Sequence, residues 1–122
     1  MDPKWFKGFL AYTMSKYGMS MCVLGFSEEY RSDGIAVNAL WPKTIIATAA
    51  VRYLFGVNKG IEMSRHPGIM ADAAAEILSR DSKTCTGNFF LDEEVLKEIG
   101  VKDFSNYAVN PDFDLMPDLF VD

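Results

Sequence analysis

The sequence predicts an α/β fold with two buried, parallel strands, each preceded by a helix. Three observations carry this. A proline-free stretch from Trp5 to about Arg31 is apolar or small around most of a helical circumference. Two short, nearly continuous apolar runs, Ile35 to Trp41 and Asn88 to Leu91, are bounded by turn residues, as expected of strands covered on both faces. The resulting order, helix–strand–helix–strand, is half of an α/β repeat with a right-handed crossover.

The elements follow in turn. Asp2-Pro3 opens the first helix, with an N-cap acceptor before proline at the first helical position. That helix, residues 5–31, ends at Ser32-Asp33-Gly34. Leu10, Met14, Tyr17, Met21 and Leu24 form one stripe along it, and Phe9, Tyr12, Lys16, Met19, Val23 and Phe26 a second. Between them runs a seam of small residues: Ala11, Ser15, Gly18, Cys22 and Gly25. Such a helix should be buried on several sides. A glycine inside a helix costs about 1 kcal/mol against alanine, so Gly18 and Gly25 imply close approach of another backbone.

Pro42 ends the first strand. Residues 43–67 are irregular, with a short helix expected between Ile45 and Gly56. Pro67 opens a clearer helix with Ile69, Ala73, Ile77 and Leu78 inward and Arg80 in its last turn. Thr86-Gly87 introduces the second strand, and a helix over Glu93 to Ile99 follows. After Lys102 come five Asp and no Lys or Arg, interleaved with aromatic and aliphatic residues. This tail reads either as an arm docking its apolar residues on the body or as a partner-binding or lid segment.

Composition narrows the function. The 122 residues are 49% hydrophobic and 24% charged, ordinary globular proportions for one small domain. A net charge of −5 without a Lys/Arg cluster excludes a nucleic-acid footprint. No apolar run approaches the roughly 18 residues of a membrane span, and the start lacks the form of a signal peptide. An intracellular protein is expected. Cys22 and Cys85, read as reduced and mostly buried, and the single His66 cannot build a zinc site or a Ser-His-Asp triad, so no metal is expected. His66 reads as a surface loop residue.

The chemistry lies on the long helix. Tyr12 and Lys16, four residues apart, share a face and can reach one ligand. A free tyrosine titrates near about 10, and a neighbouring ammonium stabilises its phenolate. The pair can therefore exchange a proton beside a carbonyl or alcohol carbon while the ammonium holds a diol.

Tyr12-Thr-Met-Ser-Lys16 on that helix, then Ile35–Pro42, a loop, a helix and Thr86-Gly87 opening a strand, resemble the C-terminal half of the short-chain dehydrogenase/reductase family. The segments Ala11–Gly25, Ala36–Thr44 and Gly87–Glu93 are most similar to its hydroxysteroid dehydrogenase-like branch. The resemblance implies the C-terminal portion of a Rossmann-like, doubly wound parallel sheet, with residues 1–122 as a partial domain. It implies an NAD(P)-dependent oxidoreductase acting on a hydroxyl/carbonyl group of an apolar or lipid-like substrate, in a peroxisome or mitochondrion. Tyr12 corresponds to the catalytic acid/base and Lys16 to the ribose-binding lysine. The segment after Pro42 would meet the nicotinamide carboxamide through the Ile45 backbone and the hydroxyl of Thr44 or Thr48. Where the family has glycine after that proline, this chain has Lys43. Residues 44–66 would be the substrate lid.

The family's Gly-rich pyrophosphate turn and its Asn-Asn-Ala-Gly segment are missing from these residues, and no serine stands among the eleven residues before Tyr12. The chain thus reads as a fragment, inactive in isolation. Its alternative reading is a non-catalytic module that self-associates through the helix over residues 5–31.

Overall fold

The computed structural model describes residues 2–121, leaving aside the side chains at 57 and 58. The chain forms two compact units: residues 1–39 with 80–89, and residues 40–79 with 90–122.

In the first unit, Asp2 accepts the Lys4 N–H, but the turn it caps is a 3-10 turn, Pro3–Trp5. The long helix, α1, runs over Leu10–Glu29 and not from Trp5. Gly8 is the reason: its φ of 84° lies in the left-handed region, which breaks a helix and costs glycine little. The segment before it folds back on α1. The buried Thr13 hydroxyl donates to the Trp5 carbonyl at 2.5 Å, and Phe6 stacks on Tyr17. A 3-10 turn, Arg31–Asp33, closes on Gly34 at φ 71°.

The expectation of a helix buried on several sides is corrected. Among the described residues of α1 only Thr13, Val23 and Ser27 are buried, while Leu10, Met14, Met21 and Leu24 are exposed. A Cβ at Gly18 or Gly25 would meet nothing within 4 Å, so among the described residues the close approach expected at these two glycines is not found. Cys22 on that seam is an exposed thiol and Cys85 a half-buried one, not the mostly buried pair expected. Close approach occurs instead at Gly87, φ 76°, where a Cβ would lie 3.1 Å from the Ser27 hydroxyl.

Strand β1 covers Ala39–Trp41 and pairs with β2, Phe89–Leu91. Partners rise together along both chains, Gly87 N–H on the Val37 carbonyl and Ala39 N–H on that of Asn88, so the strands are parallel. β1 is shorter than the apolar run because side chains replace its early rungs. Thr86 Oγ1 takes the Val37 N–H, and Asn38 accepts from the Asn88 N–H while donating to the Cys85 carbonyl.

In the second unit, α2 (Ala49–Gly56) and a π-helical turn (Val57–Ile61) precede α3, Gly68–Ser79. Pro67 opens α3 as expected, its carbonyl accepting from Met70 and Ala71. Ile69 and Ala73 are buried and Ile77 packs beside them, but Leu78 is 83% exposed. At 100° per residue Leu78 points away from Ile69, so it does not belong to the inner face. Arg80 falls just beyond the helix. Helix α4, Asp92–Glu98, adds Val95 and Leu96 to Ile69 and Ala73, and this is the core. The C-terminal arm docks: Val109 N–H bonds to Ser64, Met116 to Met63 and Asp118 to Lys43, each on the carbonyl, and Phe120 meets Trp41 edge-on.

Candidate functional site

The predicted site residues fall in two groups, one in each unit. Tyr12 and Lys16 lie one turn apart on α1. The Lys16 ammonium stands 5.4 Å from the centre of the Tyr12 ring, and Tyr12 is 46% exposed. Helical spacing thus delivers a phenol with a cation against its ring, accessible to a ligand.

Pro42, Thr44, Ile45 and Thr48 belong to the second unit, in an extended segment that leaves β1 and enters α2. Thr44 is only 9% exposed, and its hydroxyl oxygen is buried with no hydrogen-bond partner. Buried hydroxyls are nearly always partnered, but this oxygen is closed off from solvent and Thr44 does not line the cleft that Thr48 borders, so the contact expected of its hydroxyl is not presented to a ligand. The Ile45 N–H donates to the Met116 carbonyl at 3.0 Å, and its own carbonyl accepts from Arg65 at 3.0 Å. The contact expected of the Ile45 backbone is therefore left to the second lone pair of its carbonyl. Thr48 is exposed and begins α2, its hydroxyl accepting from Val51 and its carbonyl from Arg52. It borders an open cleft of about 490 Å³ with Ala47, Arg52, Tyr53 and Ile61. His66 is exposed, as expected of a loop residue.

A charged cluster that sequence spacing does not reveal brackets this segment. Asp92 is completely buried; its Oδ1 accepts from the Lys43 N–H at 2.9 Å and the Glu93 N–H at 2.7 Å. Burial pushes its carboxyl up, and the two N–H groups and Arg65 oppose that rise. Glu93 meets Lys97 at 2.6 Å, Arg65 at 2.8 Å and Lys43 at 3.5 Å. Burial raises the Glu93 carboxyl too, but hydrogen bonds from Lys97 and Arg65 and the nearby positive charges outweigh it and hold it at about 2. Lys43 and Glu93 are fifty positions apart, and no local pattern joins them. The one legible hint is a lysine in the place where the family carries glycine.

No helix among the described residues is long and apolar enough to cross a membrane. No family model matches the chain. It is, however, 57% identical over its whole length to hydroxysteroid dehydrogenase-like protein 2 of Xenopus tropicalis and 52% to that of Homo sapiens, spanning 28% of either protein. Among solved structures, a provisionally named dehydrogenase from Xanthomonas campestris matches all of the chain at 44% identity and a TM-score of 0.92. A short-chain dehydrogenase from Mycobacterium thermoresistibile matches it at 48% and 0.86; the chain covers 44% and 43% of these two. Every residue of the chain thus aligns with proteins named as dehydrogenases, and its backbone superposes closely on that of a short-chain dehydrogenase.

Proposed function

We propose that these residues are the proton-transferring part of a nicotinamide-dependent oxidoreductase domain acting on a hydroxyl/carbonyl pair. The observation that carries the reading is the Tyr12/Lys16 pair on α1, with Lys16 Nζ 5.4 Å from the Tyr12 ring. Tyr12 passes the hydroxyl proton to or from the substrate oxygen. Lys16 favours the phenolate form and donates hydrogen bonds to the cofactor ribose. The exposed Thr48 hydroxyl, which accepts from the Val51 N–H and borders the cleft, keeps its own proton to donate to the nicotinamide carboxamide. When bound, the nicotinamide supplies or takes the hydride.

The lid segment suits an apolar or lipid-like substrate, since α2 leaves Leu54 and Phe55 exposed beside the cleft at Thr48 and Tyr53. NAD(H) and NADP(H) are both candidates. The test is Tyr12→Phe in the protein carrying this chain: turnover should fall to below a tenth while cofactor affinity stays within about threefold. Retention of more than a tenth of kcat would refute the acid/base role.

A second reading is favoured by one observation, the exposed stripe Leu10, Met14, Met21 and Leu24 beside Gly18 and Gly25. A contiguous apolar face of this kind fits a partner helix, and a second copy of this chain supplies one. In that reading the chain by itself is a self-associating module without turnover.

A further inference from the structure

We infer, resting on the oxidoreductase reading above, that Arg52 binds the anionic head of an otherwise apolar substrate, a carboxylate or a phosphate, in the cleft beside Thr48. Arg52 and Thr48 lie one turn apart, and the Arg52 N–H bonds to the Thr48 carbonyl at 3.0 Å. Both line the cleft, together with Ala47, Ala49, Tyr53 and Ile61, and its volume is about 490 Å³. A cleft of that size, with apolar walls and a few polar groups, is the ordinary form of a small-molecule site. Here the polar groups are a hydroxyl, a phenol and a guanidinium, and each of them can donate a hydrogen bond.

Charge singles out the arginine. The chain carries 17 Asp and Glu against 12 Lys and Arg, so acids are in excess over bases. Arg31 is held by Glu28 at 2.6 Å and Arg65 by Glu93 at 2.8 Å. The Arg52 guanidinium has neither an ion pair nor a hydrogen bond among the described residues. Composition explains this: residues 43–61 contain Lys43, Arg52 and Lys59 but no Asp or Glu. Glu62, the next acid along the chain, accepts from Asn110 at 2.5 Å, and Lys43 is drawn to Glu94 at 3.0 Å. Arg52 is thus the cation that the cleft itself presents. A guanidinium offers two parallel N–H donors, which match the paired oxygens of a carboxylate or a phosphate. The apolar walls take a hydrocarbon body, and α2 exposes Leu54 and Phe55 beside them. An anionic amphiphile satisfies both features, whereas a neutral lipid leaves the cation unused.

The test uses the protein carrying this chain, unsubstituted and as Arg52→Ala and Arg52→Glu, with octanoate, octyl phosphate and neutral octanamide as probes in calorimetry. The two anions should bind about tenfold more tightly than octanamide, and the tighter of them identifies the head group. Arg52→Ala should erase that preference while octanamide affinity stays the same. Arg52→Glu should reverse it, so that octylammonium binds more tightly than octanoate. Arg52 is exposed, so neither variant threatens the fold. Reduced nicotinamide dinucleotide should bind all three proteins within about threefold of one another. The assignment is overturned by equal binding of anions and octanamide, or by an anion preference that survives in Arg52→Ala. It is also overturned if Arg52→Ala weakens the dinucleotide as much as the anions, which would give Arg52 to the cofactor phosphates. Turnover retained in Tyr12→Phe strikes the oxidoreductase reading alone, because the anion preference is read by binding and without turnover.

Discussion

Replacing Glu93 by glutamine should loosen the segment that carries Thr44 and Ile45 while leaving the remainder of the fold in place. The Arg65 side chain is 7% exposed, its Nε is buried without a partner, and its Nη1 bonds to Glu93 at 2.8 Å. Lys97 and Lys43 are partly exposed, so their share of the Glu93 carboxylate is worth tenths of a kcal/mol to about 1. Removing one partner of a buried pair costs about 3–5 kcal/mol. The lowering of the Glu93 carboxyl from 4.5 to about 2 points to about 3 kcal/mol, and water screening on the lysine side brings this to about 2. Amides of Ile45, Ala47 and Arg65, which hold the segment to the arm and to itself, should then exchange roughly 30-fold faster in Glu93→Gln at pH 7.

The sign of the pH dependence follows from the lowered carboxyl. Glu93 contributes fully above 4.5, and its contribution is lost as pH falls from there toward about 2. Asp92, pushed upward by burial, works in the opposite sense, so the comparison is between the two proteins at each pH. Protection should converge between them as pH approaches about 2. An exchange difference below threefold at pH 7, or one that persists unchanged at low pH, would refute this account of the cluster.

Further outcomes are expected elsewhere. Lys16→Ala should weaken both cofactor affinity and turnover, since one ammonium serves the ribose and the phenolate; steady-state kinetics with cofactor titration reads both. The 122-residue chain by itself should bind nicotinamide dinucleotide more weakly than micromolar, because it contains no Gly-rich phosphate turn; calorimetry showing micromolar binding would contradict this. Gly18→Leu should overpack any contact of one α1 with a second copy and weaken self-association by a few kcal/mol, measured by sedimentation. A cooperatively folded monomer at micromolar concentration would remove the basis for that contact. Ile69→Ala, at the centre of the α3–α4 core, should cost about 2–5 kcal/mol and release the α3 amides to exchange.

Local chemistry made much of this architecture legible. Pro67 and the spacing of Ile69 and Ala73 announce α3, and the apolar run at Phe89–Leu91 announces β2. The four-residue step from Tyr12 to Lys16 places both on one face wherever α1 begins. Expectations failed where a single residue's conformation or a distant side chain decided the outcome. Gly8 at φ 84° moved the start of α1 to Leu10, and the side chains of Thr86 and Asn38 displaced the first rungs of β1.

The sequence by itself therefore determined the order of the elements, the parallel pairing of the two strands and the Tyr12/Lys16 pair, because periodicity and short spacings act over one or two turns of chain. Only the tertiary structure decided that Thr44 is buried with an unpartnered hydroxyl, that the arm takes the Ile45 N–H, and that Asp92 and Glu93 hold Lys43 and Arg65. Those contacts join residues tens of positions apart. Their energies arise from burial and from charges taken out of water, and neither exists until the chain has folded.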